Sequence, residues 1–542
     1  MEHREIDRHF SRRELLYVLG LVGMAPAASA LLGACAPSAP QTGGVAQPQA
    51  PQTPSAPRVG GEVRIDITGE PSSLDPLRFN ATANIQVYRL ITSQLLNYKA
   101  DKSFEPDLAA SLPTVSADGL TYTIKLKTGV KWHDGKPFDS ADVKFTYDAV
   151  LNPQNASVWR SGWLFVDSVE APDPTTVVVK LKSRFTPMPH LFALTPIISS
   201  KIQPYEQNKT YATTLVGTGP FKFVEWQRGT QVVLERNPEY FVQGKPYLNR
   251  VIFRNVPDNA ARVTNIANGT SQILPFPPLN QLDLLRSRGV NVAVLPESTV
   301  RVFAYPSFAP GRPTNDVNLR LAIAWAIDRQ AIVEQVYAGT AVPASTYLSS
   351  GSQYFDEKLG AFFGSKPDLA KARDYLAKSN YPPGREFIIA YQNVPDIADV
   401  ATIVQSNLRA IGLTSRLSPV DLPAIVQLLQ SGEYDIFLLF ASAQVSSGYS
   451  PHYVYLGYLS GGVSNFNSYS DPVMDDLLRK AVAAPENEAA AAWRAVQERD
   501  LQNPGQIQFV TARYVEAYGK SLQNYQPSAL LYQKGLVEAW IG

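Results

Sequence analysis

Residues 131–146, KWHDGKPFDSADVKFT, bring together one imidazole and three carboxylates: His133, Asp134, Asp139 and Asp142. Such a set suits two kinds of chemistry. It can ligate a divalent cation, or it can move protons with a carboxylate pair flanking a scissile bond. The rest of the chain gives the first little support. Its one cysteine, Cys35, allows neither an intrachain disulfide nor a cysteine-built zinc site. Of five histidines, His3 and His9 lie at the amino terminus, which leaves His133, His190 and His452. No HExxH, GxSxG or phosphate-loop pattern occurs.

The elements around the stretch give each carboxylate a local task. Just upstream, ADGLTYTIKLKTGVKW predicts a hairpin strand. Asp118 and Gly119 turn the chain, then Tyr122, Ile124 and Leu126 share one face while Thr123, Lys125 and Lys127 share the other. HDGK follows as a tight turn, because Asp134-Gly135 supplies left-handed backbone. PFDSADVKFTYDAVL then predicts a helix. Asp139 or Ser140 accepts its first free amides, Asp142 sits in the first turn, and Val143, Tyr147 and Val150 form the buried face. His133 beside the turn reads as a hydrogen-bonded structural residue. The acid cluster is therefore scaffolding in this reading, with no catalytic group and no metal ligand assigned. Further upstream, GGEVRIDIT alternates as Val63, Ile65 and Ile67, a strand pattern.

The whole chain has 542 residues, enough for two or three subdomains, and is 45% hydrophobic and 18% charged, as for a soluble globule. A formal charge of +1 provides no field to gather nucleic acid. Residues 15–34 carry no charge and end in LLGAC. A transmembrane anchor is one reading. The other rests on a resemblance to a bacterial lipobox, which implies a signal peptide over residues 1–34, cleavage before Cys35 and acylation of its thiol. Arg12 and Arg13 resemble a twin-arginine export signal, with a general secretory signal as the alternative. Residues 35–59, rich in Pro, Gln, Ala and Ser, have no apolar face to bury and are expected to form a disordered, lipid-tethered linker.

The segment LAASLPTVSADGLTYTIKLKTGVKWHDGKPFDSADVKFTYDAVLNP, residues 108–153, resembles the signature of the dipeptide/oligopeptide/nickel class of extracellular solute-binding proteins. EPSSLDP, GTGPFKFVEWQRGTQVVLERNPEYF, NLRLAIAWAIDRQAIVEQVYAG, DLAKARDYLAKSNY and NFNSYSDPVMDDLL resemble further blocks of that family, in its order. The resemblance implies an α/β, two-lobed fold of the periplasmic-binding-protein type II, in its large cluster C form with an extra inserted subdomain. Lobe I would comprise residues 60–93, 215–302 and 515–542, with the insert at 94–214, and lobe II residues 303–514. It also implies a monomer without cofactor, anchored to the outer face of the cell membrane through lipid alone. Its partners would be an ABC permease, its ATPase subunits and a small or oligomeric solute.

One departure bears on the ligand. Peptide binders of this family hold the α-ammonium with an aspartate in a Trp-x-x-Asp-Tyr-x-Asp-Pro-like segment after a Tyr-Asp strand. Here GEYDIFLLF supplies the strand, yet residues 436–470 contain no Asp, Glu, Lys or Arg. Gln444, Ser446, Ser447 and Tyr449 stand in that region and become candidate ligand residues, with Phe79, Asn80 and Tyr305 from the expected lobe-facing segments. A buried ammonium without an anionic partner loses several kcal/mol of solvation, so a neutral or blocked solute such as an oligosaccharide is expected over a free-amine peptide. Nickel suits the remaining histidines poorly. A secreted hydrolase using paired carboxylates is the alternative of a different class, and a sensor or chaperone on the same two lobes a third.

Overall fold

The computed structural model describes residues 57–79, 81–99, 101–201, 205, 211, 214–442, 450–462, 464–528 and 535–542. An 11-stranded mixed sheet runs through it. Its order is Ser415–Val420, Phe387–Gln392, Ile436–Ser442, Asn291–Pro306, Ile507–Tyr518, Ile273–Pro275, Glu62–Ile67, Arg250–Asn255, Gln231–Arg236 and Phe221–Gln227, with Ala341–Pro343 beside Ile507–Tyr518. Two long antiparallel strands hold this sheet together. Asn291–Pro306 and Ile507–Tyr518 pair at both ends, but the register shifts between Val294 and Ser298 and again before Val300. Before the shift they join the strands near the amino terminus, and after it Val300–Pro306 pairs with Ile436–Ser442. This is a two-lobed fold in which two strands cross from one lobe to the other, and the bulges concentrate twist at the crossing.

The alternation in GGEVRIDIT forms the strand Glu62–Ile67, with Val63, Ile65 and Ile67 buried. It lies parallel to Arg250–Asn255 on one side and Ile273–Pro275 on the other, so both its edges are paired. The hairpin strand Thr121–Lys125 belongs to a separate 4-stranded antiparallel sheet with Thr114–Val115, Val166–Asp173 and Thr176–Leu181. Its Tyr122 and Ile124 face inward under the helix Ser140–Leu151, whose Val143, Tyr147 and Val150 are fully buried. GTGPF is explained by close approach: a Cβ on Gly217 or Gly219 would strike the carbonyls at the end of the helix Thr82–Ile91.

Among the described residues, four apolar clusters form the cores. The largest joins Val63, Ile65 and the insert's Tyr147 and Trp163 to Tyr347, Val454, Tyr458 and Trp493, which come from the second half of the chain. A second core gathers around Val302, Ala322, Ile389 and Phe509, and a smaller one on the opposite sheet face around Phe303, Tyr305 and Phe437. The insert touches lobe II directly. The amide of Thr186 donates to Val482 O at 2.7 Å, and the rings of Phe165 and Tyr455 meet at 5.4 Å.

Candidate functional site

The acid cluster is consumed by the scaffold. Asp139 caps the helix Ser140–Leu151 by accepting from Ala141 N at 2.9 Å, and Asp142 Oδ2 accepts from Asp139 N at 3.1 Å, a reciprocal capping box. Asp142 is fully buried and also accepts from Trp132 Nε1 at 3.0 Å and from Ser200 N and Oγ at 2.8 and 2.6 Å, while Lys201 Nζ pairs with it at 2.8 Å. Asp134 accepts from Lys136 N at 3.2 Å across its turn and pairs with the Lys136 ammonium. His133 Nδ1 accepts from Gly217 N at 3.3 Å and Nε2 donates to Gly219 O at 3.0 Å, which fixes the neutral tautomer and occupies both nitrogens. Burial pushes this imidazole down to about 4 and His190 down to about 3. Among the described residues no group of three or more His, Cys, Asp or Glu can hold a metal.

The geometry that can take a solute lies at the crossing. In lobe I, Glu62–Ile67 and Ile273–Pro275 run parallel, and their carboxyl ends point to where Val515 and Tyr514 leave for lobe II. In lobe II, Phe387–Gln392 and Ile436–Ser442 are parallel, and Ser442 ends opposite Val300, again at the crossing. Each lobe therefore turns the carboxyl ends of parallel strands toward the seam. That end of an open α/β sheet is where ligands bind. The opposite, amino end of the lobe II strands carries a cleft of about 580 Å³ that includes Arg312 and Arg385. Both are paired with the buried Asp435, at 3.8 and 2.8 Å.

On the lobe I side of the seam stands Phe276, directly after Ile273–Pro275. Its φ of 50° is left-handed, costly for a bulky side chain, and its ring is 39% exposed although it meets Tyr514 edge-on at 5.1 Å. Past the register shift, where Asn291–Pro306 pairs with Ile436–Ser442, stands Arg301, 2% exposed. Its guanidinium meets neutral groups: Nη1 donates to Gln506 Oε1 at 3.4 Å and Gln508 Oε1 at 3.2 Å, and Cζ lies 3.6 Å from the Tyr347 ring centroid and 4.5 Å from that of Phe303. Arg301 thus sits where the cluster shared with lobe I, through Tyr347, meets the lobe II cluster of Phe303 and Tyr305. Nearby, Asp500 accepts from Tyr458 Oη at 3.0 Å and from Gly505 N at 3.3 Å. Burial outweighs these bonds and the pull of Arg301 and Arg320, and pushes its carboxyl up to about 7.

The residues expected from sequence fall unevenly on this seam. Tyr305 is buried on the same strand face as Arg301 and Phe303, with its ring 5.0 Å from that of Phe303. Phe79 is 39% exposed in lobe I, at the end of the segment that follows Glu62–Ile67. Asn80, Gln444, Ser446, Ser447, Tyr449 and Cys35 lie outside the described residues. The described flanks of 443–449 are Ser442, at the crossing, and Ser450, buried just before the helix His452–Tyr458. Arg301, Gln506, Gln508 and Phe276 escaped the sequence reading. A signal for the first three was available: TVRVFAYP and GQIQFV place a charge or an amide at alternate positions of otherwise apolar strands. Phe276 left no such signal.

Comparison with known proteins agrees with this architecture. The description "Bacterial extracellular solute-binding proteins, family 5 Middle" belongs to the family whose pattern matches residues 103–483. A relative from Brucella ovis, named as an ABC transporter peptide-binding protein, is 31% identical over 443 residues, 77% of this chain and 81% of the relative. The glutathione-binding protein GsiB of Pectobacterium atrosepticum is 27% identical over 467 residues, 84% of this chain and 89% of its own. The crystal structure of the ABC transporter substrate-binding protein CtaP from Listeria monocytogenes superposes with a TM-score of 0.80 at 25% identity, covering 89% of this chain and 100% of CtaP. The oligopeptide-binding protein AppA from Bacillus subtilis, in complex with a nonapeptide, shares the fold with a TM-score of 0.76 at 22% identity over 90% of this chain and 100% of its own. Two lobes bridged by crossing strands, carboxyl ends facing a common seam, and a family pattern spanning most of the folded body lead to one conclusion: the chain belongs to the bacterial extracellular solute-binding proteins of family 5.

Proposed function

We propose that this chain captures an oligopeptide-sized solute between its lobes and hands it, chemically unchanged, to the permease and ATPase subunits of an ABC importer. The lobes in this reading are residues 60–93, 215–302 and 515–542 against 303–514, with the insert at 94–214, and they close about the strands Asn291–Pro306 and Ile507–Tyr518. Closure excludes water and creates the state that a transporter recognises. Among the described residues no helix is long and apolar enough to cross a membrane. Attachment to the membrane would run through an acylated Cys35, so Cys35→Ser is expected to move the protein to the soluble fraction with binding intact. Retention on membranes would count against the anchor.

The observation that carries the ligand preference is the charge-free run from 436 to 470, which begins with the strand that ends at the crossing. With no carboxylate there to receive an ammonium, the solute is one without a free amine: an oligosaccharide or an amino-blocked peptide. Gln444, Ser446, Ser447 and Tyr449, with Phe79, Asn80 and Tyr305, remain its proposed contacts. The names of the relatives, peptide-binding and glutathione-binding, favour a second reading in which the solute is a free-amine peptide. A thermal-shift panel of oligosaccharides, free peptides and their acetylated forms separates them. A ligand at a hundredfold its dissociation constant adds about 2.7 kcal/mol of apparent stability. Stabilisation by free peptides that acetylation abolishes would overturn the first reading.

A further inference from the structure

We propose that Arg301 is the ligand's oxyanion receptor and that the solutes taken by this protein carry a carboxylate. The inference rests on the reading of the seam as the solute site. It begins with two unmet donors: Arg301 Nε and Gln506 Nε2 are both buried without a hydrogen-bond partner. The two side chains are linked through Nη1 and Gln506 Oε1 at 3.4 Å, on the guanidinium edge away from the open Nε–H. Buried donors left unpaired are costly, and a carboxylate oxygen would answer the Arg301 Nε–H with an acceptor that is also charged.

Charge points the same way. Guanidinium groups keep their charge in proteins, and a buried charge without a counter-ion is among the least stable arrangements a fold can hold. Gln506 and Gln508 answer only with neutral oxygens, and the rings of Tyr347 and Phe303 give modest cation–π attraction. The adjoining run 436–470 contains no acid that could pair with it. Asp500 is the acid that acts on Arg301 from the helix Glu486–Gln502, and burial favours its protonated form near neutral pH, so it compensates the charge only in part. A trapped water would answer a donor but not the charge. Two other buried arginines, Arg320 and Arg329, have their donating nitrogens met by backbone carbonyls and, for Arg320 Nη2, by Asn503 Oδ1.

Two sources supply the same group: the carboxyl terminus of a peptide and the acid of a uronic sugar. Isothermal titration of the full chain with matched twins tests both. One arm uses peptides with free or amidated carboxyl ends, each with free and with acetylated amino ends. The other uses oligouronides and their neutral sugar counterparts. The acid member of one arm is expected to bind about ten- to a hundredfold tighter than its neutral twin. Arg301→Gln is expected to erase that ratio, and Arg301→Lys to keep part of it. If Arg301→Gln does not fold, the wild-type ratio and Arg301→Lys decide. A panel in which no acid outperforms its neutral twin overturns the proposal, as does a preference that survives in Arg301→Gln. The amino-end comparison is read separately: acetylated peptides failing where free ones bind would refute the amine-free ligand and leave the carboxylate assignment standing.

Discussion

Two buried arginines lie against the same residue and do opposite things. Arg329 is fully buried and aims three nitrogens at backbone carbonyls: Nε at Ala344 O, Nη1 at Ala324 O and Nη2 at Gln508 O, each at 3.0 Å. Arg301 meets the side chain of that same Gln508, at 3.2 Å, and leaves Nε with no partner. One guanidinium is a finished joint of the scaffold; the other is an unfinished one at the seam. The difference is geometric. Arg329 follows the helix Val317–Ala326, where carbonyls at a chain end need donors, whereas Arg301 projects from a strand whose own carbonyls are taken by its neighbours. The fold satisfies three nitrogens of Arg329, while Nε of Arg301 is left for the proposed carboxylate.

The largest effect expected from this contrast is on Arg329. Arg329→Met strands three buried carbonyls at once and should lower stability by about 3–5 kcal/mol in denaturant unfolding. A loss under about 1 kcal/mol would mean that those carbonyls find other donors, and the contrast with Arg301 would collapse.

The next effect concerns the acid beside Arg301. The folded chain holds the Asp500 proton up to about pH 7, whereas an unfolded aspartate releases it near 3.9. Folding therefore binds a proton between these values, and stability should fall as pH rises from about 4 to 7, then level off. Asp500→Asn should remove that slope, worth roughly 2–4 kcal/mol across the window. His133 and His190, held neutral by burial, act in the opposite sense. Their stability contribution is lost as pH falls below about 6.5, so the diagnostic quantity is the difference between wild type and Asp500→Asn. A flat difference would show Asp500 ionised throughout, and Arg301 would then have its counter-ion.

The sequence made the finished joints legible and the open one obscure, for a physical reason. Asp139 and Asp142 announce themselves because capping is local: their partners lie within three residues, so spacing alone assigns them. The hairpin at Asp118-Gly119 and the buried face of Val143, Tyr147 and Val150 were readable for the same reason. The two-lobed fold was legible through the family's ordered blocks. The seam is built from residues more than two hundred positions apart, Arg301 with Gln506 and Gln508, and no periodicity records such a meeting. Lobe closure is a tertiary fact, and so is which alternate face of Asn291–Pro306 is left without an ion partner. The absence of acids from 436–470 was visible, but its meaning depends on Arg301, which that run leaves without a counter-ion.

The smallest effect is also the most discriminating. At pH 6 Asp500 is mostly protonated, so Arg301 stands as a charge without compensation in the ligand-free protein. Methionine fills nearly the same length, and its thioether packs well between the Phe303 and Tyr347 rings that now flank the guanidinium. The substitution gives up two long hydrogen bonds to Gln506 and Gln508, which can still bond to each other through Gln508 Nε2 and Gln506 Oε1 at 3.3 Å. Replacing a poorly compensated buried charge by an apolar side chain of similar size is often neutral or stabilising. Arg301→Met should therefore change unfolding stability at pH 6 by no more than about 1 kcal/mol, with a gain more in keeping with the argument than a loss. A loss as large as that of Arg329→Met would make Arg301 a structural arginine after all, completed by contacts that the open donor conceals.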